Sequence, residues 1–242
     1  MDGGGAQGRL LRSSRVSTVE LCLVRTALSG SMLAVLAWDV VAFADSVHHQ
    51  PWQLLKWLAF LSRWTLLLVV LYLFAAAVAT HRQWSEGSLG LRLLWAGHSV
   101  ALPASLAVVP LYWGKLLVQS YDADRLHAVS FFVHGYNAVV MLTDFWLCNR
   151  RWHFADGLYV LGYGFLNMSF MFAYFHLNPD CPKCDLDTEG NPYVYSVIDW
   201  RLPGSAVLNC LLAILIPVPL LSAGLARASS ARRRTFISLA NP

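Results

Sequence analysis

HAVSFFVHGYNAVVMLTD, residues 127–144, decides how this chain is read. The stretch is apolar enough to cross a bilayer, yet it carries His127, Ser130, His134, Asn137 and Asp144. Successive separations are 3, 4, 3 and 7 residues, and Met141 fills the long gap at the same period. On a helix of about 3.6 residues per turn this is one polar stripe. Ionisable side chains are costly inside a membrane, so they face the protein interior and commonly serve a purpose there. Polar residues between membrane helices also act as hydrogen-bonding glue worth about 1 kcal/mol or less each. Glue accounts well for Ser130 and Asn137, and less well for two histidines and a carboxylate.

The rest of the chain agrees with a membrane setting. Of its 242 residues 57% are hydrophobic and only 13% charged, against about 25% charged in a soluble domain. Such a chain lacks the polar groups to cover a water-facing surface. The expected fold is an all-α polytopic membrane bundle of about six transmembrane helices, near 22–43, 57–80, 93–118, 127–148, 154–177 and 203–226. Pro103 and Pro110 in the third span, and Pro217 and Pro219 in the sixth, predict kinks or tilts. Residues 21–227 form the predicted membrane domain, with disordered tails at 1–20 and 228–242 and a long outer loop at 178–202.

The net charge of +4 reads as topology. Arg9, Arg12, Arg15, Arg82, Arg92, Arg150, Arg151, Arg227, Arg232, Arg233 and Arg234 fall on one side of a six-span arrangement. Lys56, Lys115, Arg125, Lys183 and Arg201 fall on the other. That bias predicts both termini in the cytoplasm of a plasma membrane or endoplasmic reticulum protein. No basic groove with interleaved aromatics points to nucleic acid, and no cleavable signal peptide is evident. The expected partners are the lipid bilayer and, for an enzyme, a lipid ester substrate; the sequence names no protein partner.

Depth along the spans brings three chemically suggestive groups to one level. Ser62 and His134 lie about 8 and 10 Å below the outer ends of their spans, with Asp39 at a similar depth in the first. A hydroxyl needs a base to become a nucleophile, and a histidine often needs a carboxylate to orient it. Arg63, beside Ser62, either snorkels, pairs with Asp39 or Asp144, or stabilises developing oxyanion charge. Tyr163 and Asn167 sit deep on a second stripe of the fifth span, with Asp156, Tyr159 and Tyr174.

Metal ligation is disfavoured. His127 and His134 are i, i+7, about 10 Å apart along the axis; His98, His153 and His176 show no ligand spacing. Neither a metal nor a cofactor is expected. Cys181-Pro-Lys-Cys184 admits redox, zinc or disulfide chemistry; without a second CxxC, and on an oxidising side, a loop-stapling disulfide is favoured. Cys22 and Cys148, near cytoplasmic span ends, read as buried thiols or palmitoylation sites.

Several strings together resemble the rolling stone family: His134-Gly135-Tyr136-Asn137 continuing to Asp144, the run from Asp187 to Trp200 followed by Arg201-Leu202-Pro203-Gly204, and Leu61-Ser62-Arg63-Trp64. The resemblance covers roughly residues 50–210 and implies a multi-pass membrane protein, with a link to myoblast fusion or differentiation through the family's founding member. A more distant similarity, to the androgen-induced membrane hydrolases, implies an intramembrane ester hydrolase. That family's threonine and histidine match Ser62 and His134, the catalytic pair in such an enzyme, with Asn137, Asp144, Arg63 and Asp39 in supporting roles. Ser62 replaces the threonine, Ser196 replaces a proline, and the outer loop is longer and holds two cysteines. A second alignment register places Ala59 at the nucleophile position, which removes the nucleophile.

Overall fold

The structure is a computed structural model that describes residues 8–46, 57–118, 128–177, 195 and 198–240. The expectations for His127, Ser196, Cys181 and Cys184 lie outside the described residues. All regular structure among the described residues is helical. A 3-10 turn, Gly8–Leu11, is followed by α1 (Thr18–Ser46), α2 (Leu61–Arg82) and α3 (Leu89–Val118). A continuous helical run comes next: α4 (Ala128–Phe131), a π turn (Phe132–Tyr136) and α5 (Asn137–Leu147). A 3-10 turn at Phe154–Asp156 leads into α6 (Gly157–Leu177), then α7 (Pro203–Leu215) and α8 (Pro217–Ala240).

Local chemistry sets these boundaries. Ser17 and Glu20 form a reciprocal capping box that starts α1: Ser17 N donates to Glu20 Oε2 at 2.7 Å and Glu20 N to Ser17 Oγ at 3.2 Å. Gln83 ends α2 in the left-handed region at φ 48°, its N–H returning to the Ala79 carbonyl. Ser88 Oγ accepts from Leu91 N at 3.3 Å at the head of α3. Pro203 and Pro217 each stand first in a helix, where the missing N–H is not needed. The sixth expected span is therefore two helices that meet at Ile216.

Five segments are long and apolar enough to cross a membrane: Thr18–Ala44, Leu61–Arg82, Leu89–Gly114, Phe154–Leu177 and Pro203–Arg232. The fourth expected span is present as the run from α4 to α5, broken in phase by the π turn. The molecule is an all-α membrane bundle. Its lipid-facing character shows in Leu71, Phe74, Leu93, Leu158 and Leu220, each more than half exposed; in water so much apolar surface would drive association.

α3 is the hub, touching α2, the π turn, α5, α6 and α8, while α1 lies along α2. The core between α1, α2, α3 and α5 is built from Met32, Leu66, Leu73, Leu102, Val140 and Met141. Both expected tails are partly folded. Leu10 and Leu11 are buried in this core, because the 3-10 turn packs against α2. At the other end α8 stays helical to Ala240.

Candidate functional site

Three polar clusters occupy the bundle, and they divide the sequence candidates differently from the depth argument. The first is centred on Asp144, on the inward face of α5, 1% exposed. Arg25 of α1 donates from Nε to Asp144 Oδ1 at 2.7 Å and from Nη2 to Oδ2 at 3.4 Å. Its remaining donors reach Thr80 Oγ1 at 2.7 Å and the Leu10 carbonyl at 2.9 Å. Tyr72 of α2 donates to Asp144 Oδ2 at 2.5 Å. Arg25 is fully buried and every nitrogen of its fork is used, which is the condition under which a charge is tolerated there.

Next to it, Arg150 Nη1 donates to His98 Nδ1 at 2.7 Å and to the Trp95 carbonyl at 3.0 Å. Its Nη2 reaches Ser99 Oγ at 2.5 Å and Asp156 Oδ2 at 3.2 Å. The guanidinium lies 3.9 Å from the Trp95 ring centre. Arg232 from α8 caps the Phe145 and Arg150 carbonyls. His98, Asp144 and Cys148 bring potential metal ligands within 4.8 Å of one another, but the donor set does not fit an ion. Arginine can only donate, so His98 Nδ1 is the acceptor and the ring proton sits on Nε2, which leaves no lone pair to offer. Asp144 is already matched by Arg25, and Arg150 would repel a cation.

The second cluster lies at the opposite end of α1. Asp39 Oδ2 accepts from Trp57 Nε1 at 2.7 Å and from Arg63 Nε at 3.2 Å. The Arg63 guanidinium stands 4.3 Å from the Phe43 ring centre and 4.5 Å from that of Phe60. Its Nη1 has no hydrogen-bond partner, and these ring faces account for that. Ser62, in the first turn of α2, is buried, and Tyr195 Oη accepts from the adjacent Leu61 N at 3.1 Å.

The third cluster surrounds the π turn. The His134 ring stacks on Tyr112 of α3, with centres 3.5 Å apart and planes 11° apart. His134 Nδ1 is buried without a partner. Asn137 is 0% exposed, and neither its Nδ2 nor its Oδ1 makes a hydrogen bond. Tyr136 Oη donates to Ser31 Oγ at 3.0 Å. On α6, Tyr163 Oη pairs with Thr65 Oγ1 at 3.1 Å, and Asn167 is buried with its Nδ2 unpartnered.

The sequence candidates thus separate. Asp39 and Arg63 meet. Asp144 is bound to Arg25 and Tyr72, at the far side of the stripe from His134. No hydrogen bond joins Ser62 to His134 among the described residues. Asp156 closes a capping box on the 3-10 turn before α6, accepting from His153 N at 2.9 Å. Tyr159 and His176 are exposed, and Ser130 is half-buried. The Cys22 and Cys148 thiols face the carbonyls of Ala77 and Phe145. Arg25 was missed as a partner. Its place toward the same bundle end as Thr80 and Asp144 was the available signal.

These features define a class, a multi-pass integral membrane protein whose buried charges are matched between helices. A family model described as Protein rolling stone matches residues 52–239, and the chain belongs to that family. Protein rolling stone of Drosophila melanogaster is 29% identical over 125 residues, which cover 52% of this chain and 43% of that protein. The match therefore spans less than half the length of the curated relative. No solved structure matches the chain.

Proposed function

We propose that the protein acts without catalysis, as a membrane component of cell fusion or differentiation, with both termini cytoplasmic in a plasma membrane or endoplasmic reticulum setting. The observation that carries this reading is the use of the buried carboxylates Asp144 and Asp39 as helix clamps: Asp144 by Arg25 and Tyr72, Asp39 by Arg63 and Trp57. Neither is left to orient a base. Function then lies in the acidic outer loop. In a myoblast-fusion assay, deletion of 180–190 abolishes activity while Ser62→Ala leaves it unchanged. Loss of fusion in Ser62→Ala with normal surface expression would reverse this assignment.

A second reading, a lipid ester hydrolase, is favoured by one observation: the buried, unpartnered Nδ1 of His134 within a π turn, a helical irregularity common at functional sites. In that enzyme Ser62 attacks the ester carbonyl, His134 takes and returns the proton, and Asn137 or Arg63 stabilises the oxyanion. Fluorophosphonate labelling of the purified protein tests it. Labelling that persists in both Ser62→Ala and His134→Ala removes it.

A further inference from the structure

Asn137 offers two N–H donors and a carbonyl acceptor, is fully buried, and uses none of them. A buried polar group left unmet is destabilising, and Asn137 carries two such atoms. Three residues earlier in the chain, within the π turn, His134 Nδ1 is also buried and unpartnered. The intervening backbone is a π turn, which holds the two side chains at the junction with α5. Among the described residues Asn137 alone has two buried side-chain atoms unmet, whereas every nitrogen of the buried Arg25 and all but Nε of Arg150 are used.

The occupant has to be neutral. An anion would need a cation, and Arg63 is already matched by Asp39 and Arg25 by Asp144. A cation would need a carboxylate, and Asp39, Asp144 and Asp156 are each matched by an arginine. A group that donates and accepts at once, on an apolar body, satisfies the amide and the imidazole together. Trp38, Phe131 and Phe132 continue the apolar wall next to His134 toward lipid, with Trp38 and Phe131 exposed. We propose that His134 and Asn137 form a binding site for the hydroxyl headgroup of a neutral membrane lipid, a sterol or a diacylglycerol. The site needs no bond cleavage and stands whether or not Ser62 is a nucleophile.

The full chain in phosphatidylcholine nanodiscs, probed with diazirine analogues of cholesterol and of diacylglycerol, tests this. Photolabelling by one of the two is expected to map to the peptides bearing Tyr112 and residues 128–137, and that arm identifies the source of the hydroxyl. The parent hydroxyl lipid should compete and its methyl ether should compete about tenfold less well, the loss expected when the hydroxyl's donor bond goes unmade. Asn137→Leu should reduce labelling to a similar degree, whereas Tyr136→Phe should not. Equal competition by the methyl ether, or labelling at background with both probes, overturns the proposal; the second result means that water alone fills the site. Ser62→Ala separates the two ideas, since it removes hydrolysis in the enzymatic reading and leaves photolabelling intact.

Discussion

Arg25 and Asp144, 119 residues apart in the sequence, meet through a 2.7 Å hydrogen bond with both side chains excluded from solvent. The bond ties α1 to α5, and Tyr72 and Thr80 join α2 to the same knot. Removing one charge leaves the other buried and uncompensated, which costs about 3–5 kcal/mol. Arg25→Met and Asp144→Leu should each lower the thermal midpoint in detergent strongly. The double variant should recover much of the loss, because the apolar pair strands no charge. Single variants that melt like the parent would show that the knot contributes nothing.

This knot also marks where sequence reading ends. The apolar spans follow from composition and length, and the inward turn of Asn137, Met141 and Asp144 follows from 3.6-residue periodicity; all three residues are buried. The upper half of the stripe departs from the simple wheel. A π turn has a wider repeat than an α-helix, so Phe132–Tyr136 rotate the phase, and Ser130 and His134 emerge only half-buried. No local pattern announces a π turn. Pairing was equally hidden: Asp39 and Asp144 were legible as costly groups, but which arginine each takes depends on how helices pack. Depth alone matched Ser62, His134 and Asp39, and the structure instead joins Asp39 to Arg63 and Trp57.

Arg150 depends on its fork. Two of its nitrogens serve His98, Ser99, the Trp95 carbonyl and Asp156, while the plane stacks on Trp95. Lysine supplies one point charge and no plane. Arg150→Lys should therefore destabilise the bundle by about 2–3 kcal/mol, as charged hydrogen bonds are lost. Differential scanning fluorimetry in detergent measures it. A change within about 0.5 kcal/mol, typical of surface substitutions, would refute the assignment.

Close helix approach on α6 rests on particular glycines. A Cβ on Gly157 would lie 2.5 Å from Ser222 Oγ of α8, whereas one on Gly162 meets nothing within 4 Å. Small residues let membrane helices approach closely. Gly157→Ala should cost up to about 1 kcal/mol, as the Ser222 hydroxyl must turn away, while Gly162→Ala should be neutral or gain up to about 1 kcal/mol from helix propensity. The two variants, melted side by side, isolate packing from propensity, and equal behaviour would place the contact elsewhere.

The turn before α7 should respond to acid. Arg201 donates to Asp199 from Nε at 3.0 Å and from Nη2 at 2.6 Å. These side-chain bonds hold the Asp199 carboxyl below its ordinary range, with slight burial opposing them. A depressed folded-state pKa means the carboxylate is favoured in the folded form. Its stabilisation is complete above the unfolded value of about 3.9 and fades as pH falls through the lower folded value. Arg201 is half exposed and Asp199 only partly buried, so the effect should stay under about 1 kcal/mol and shrink with salt. Asp199→Asn should lower the thermal midpoint slightly above about pH 5 and have no effect well below the carboxylate range. A difference that persists unchanged into strong acid would mean that Asp199 acts through its shape in the turn, where Arg201 N also donates to Oδ1 at 3.0 Å, and not through its charge.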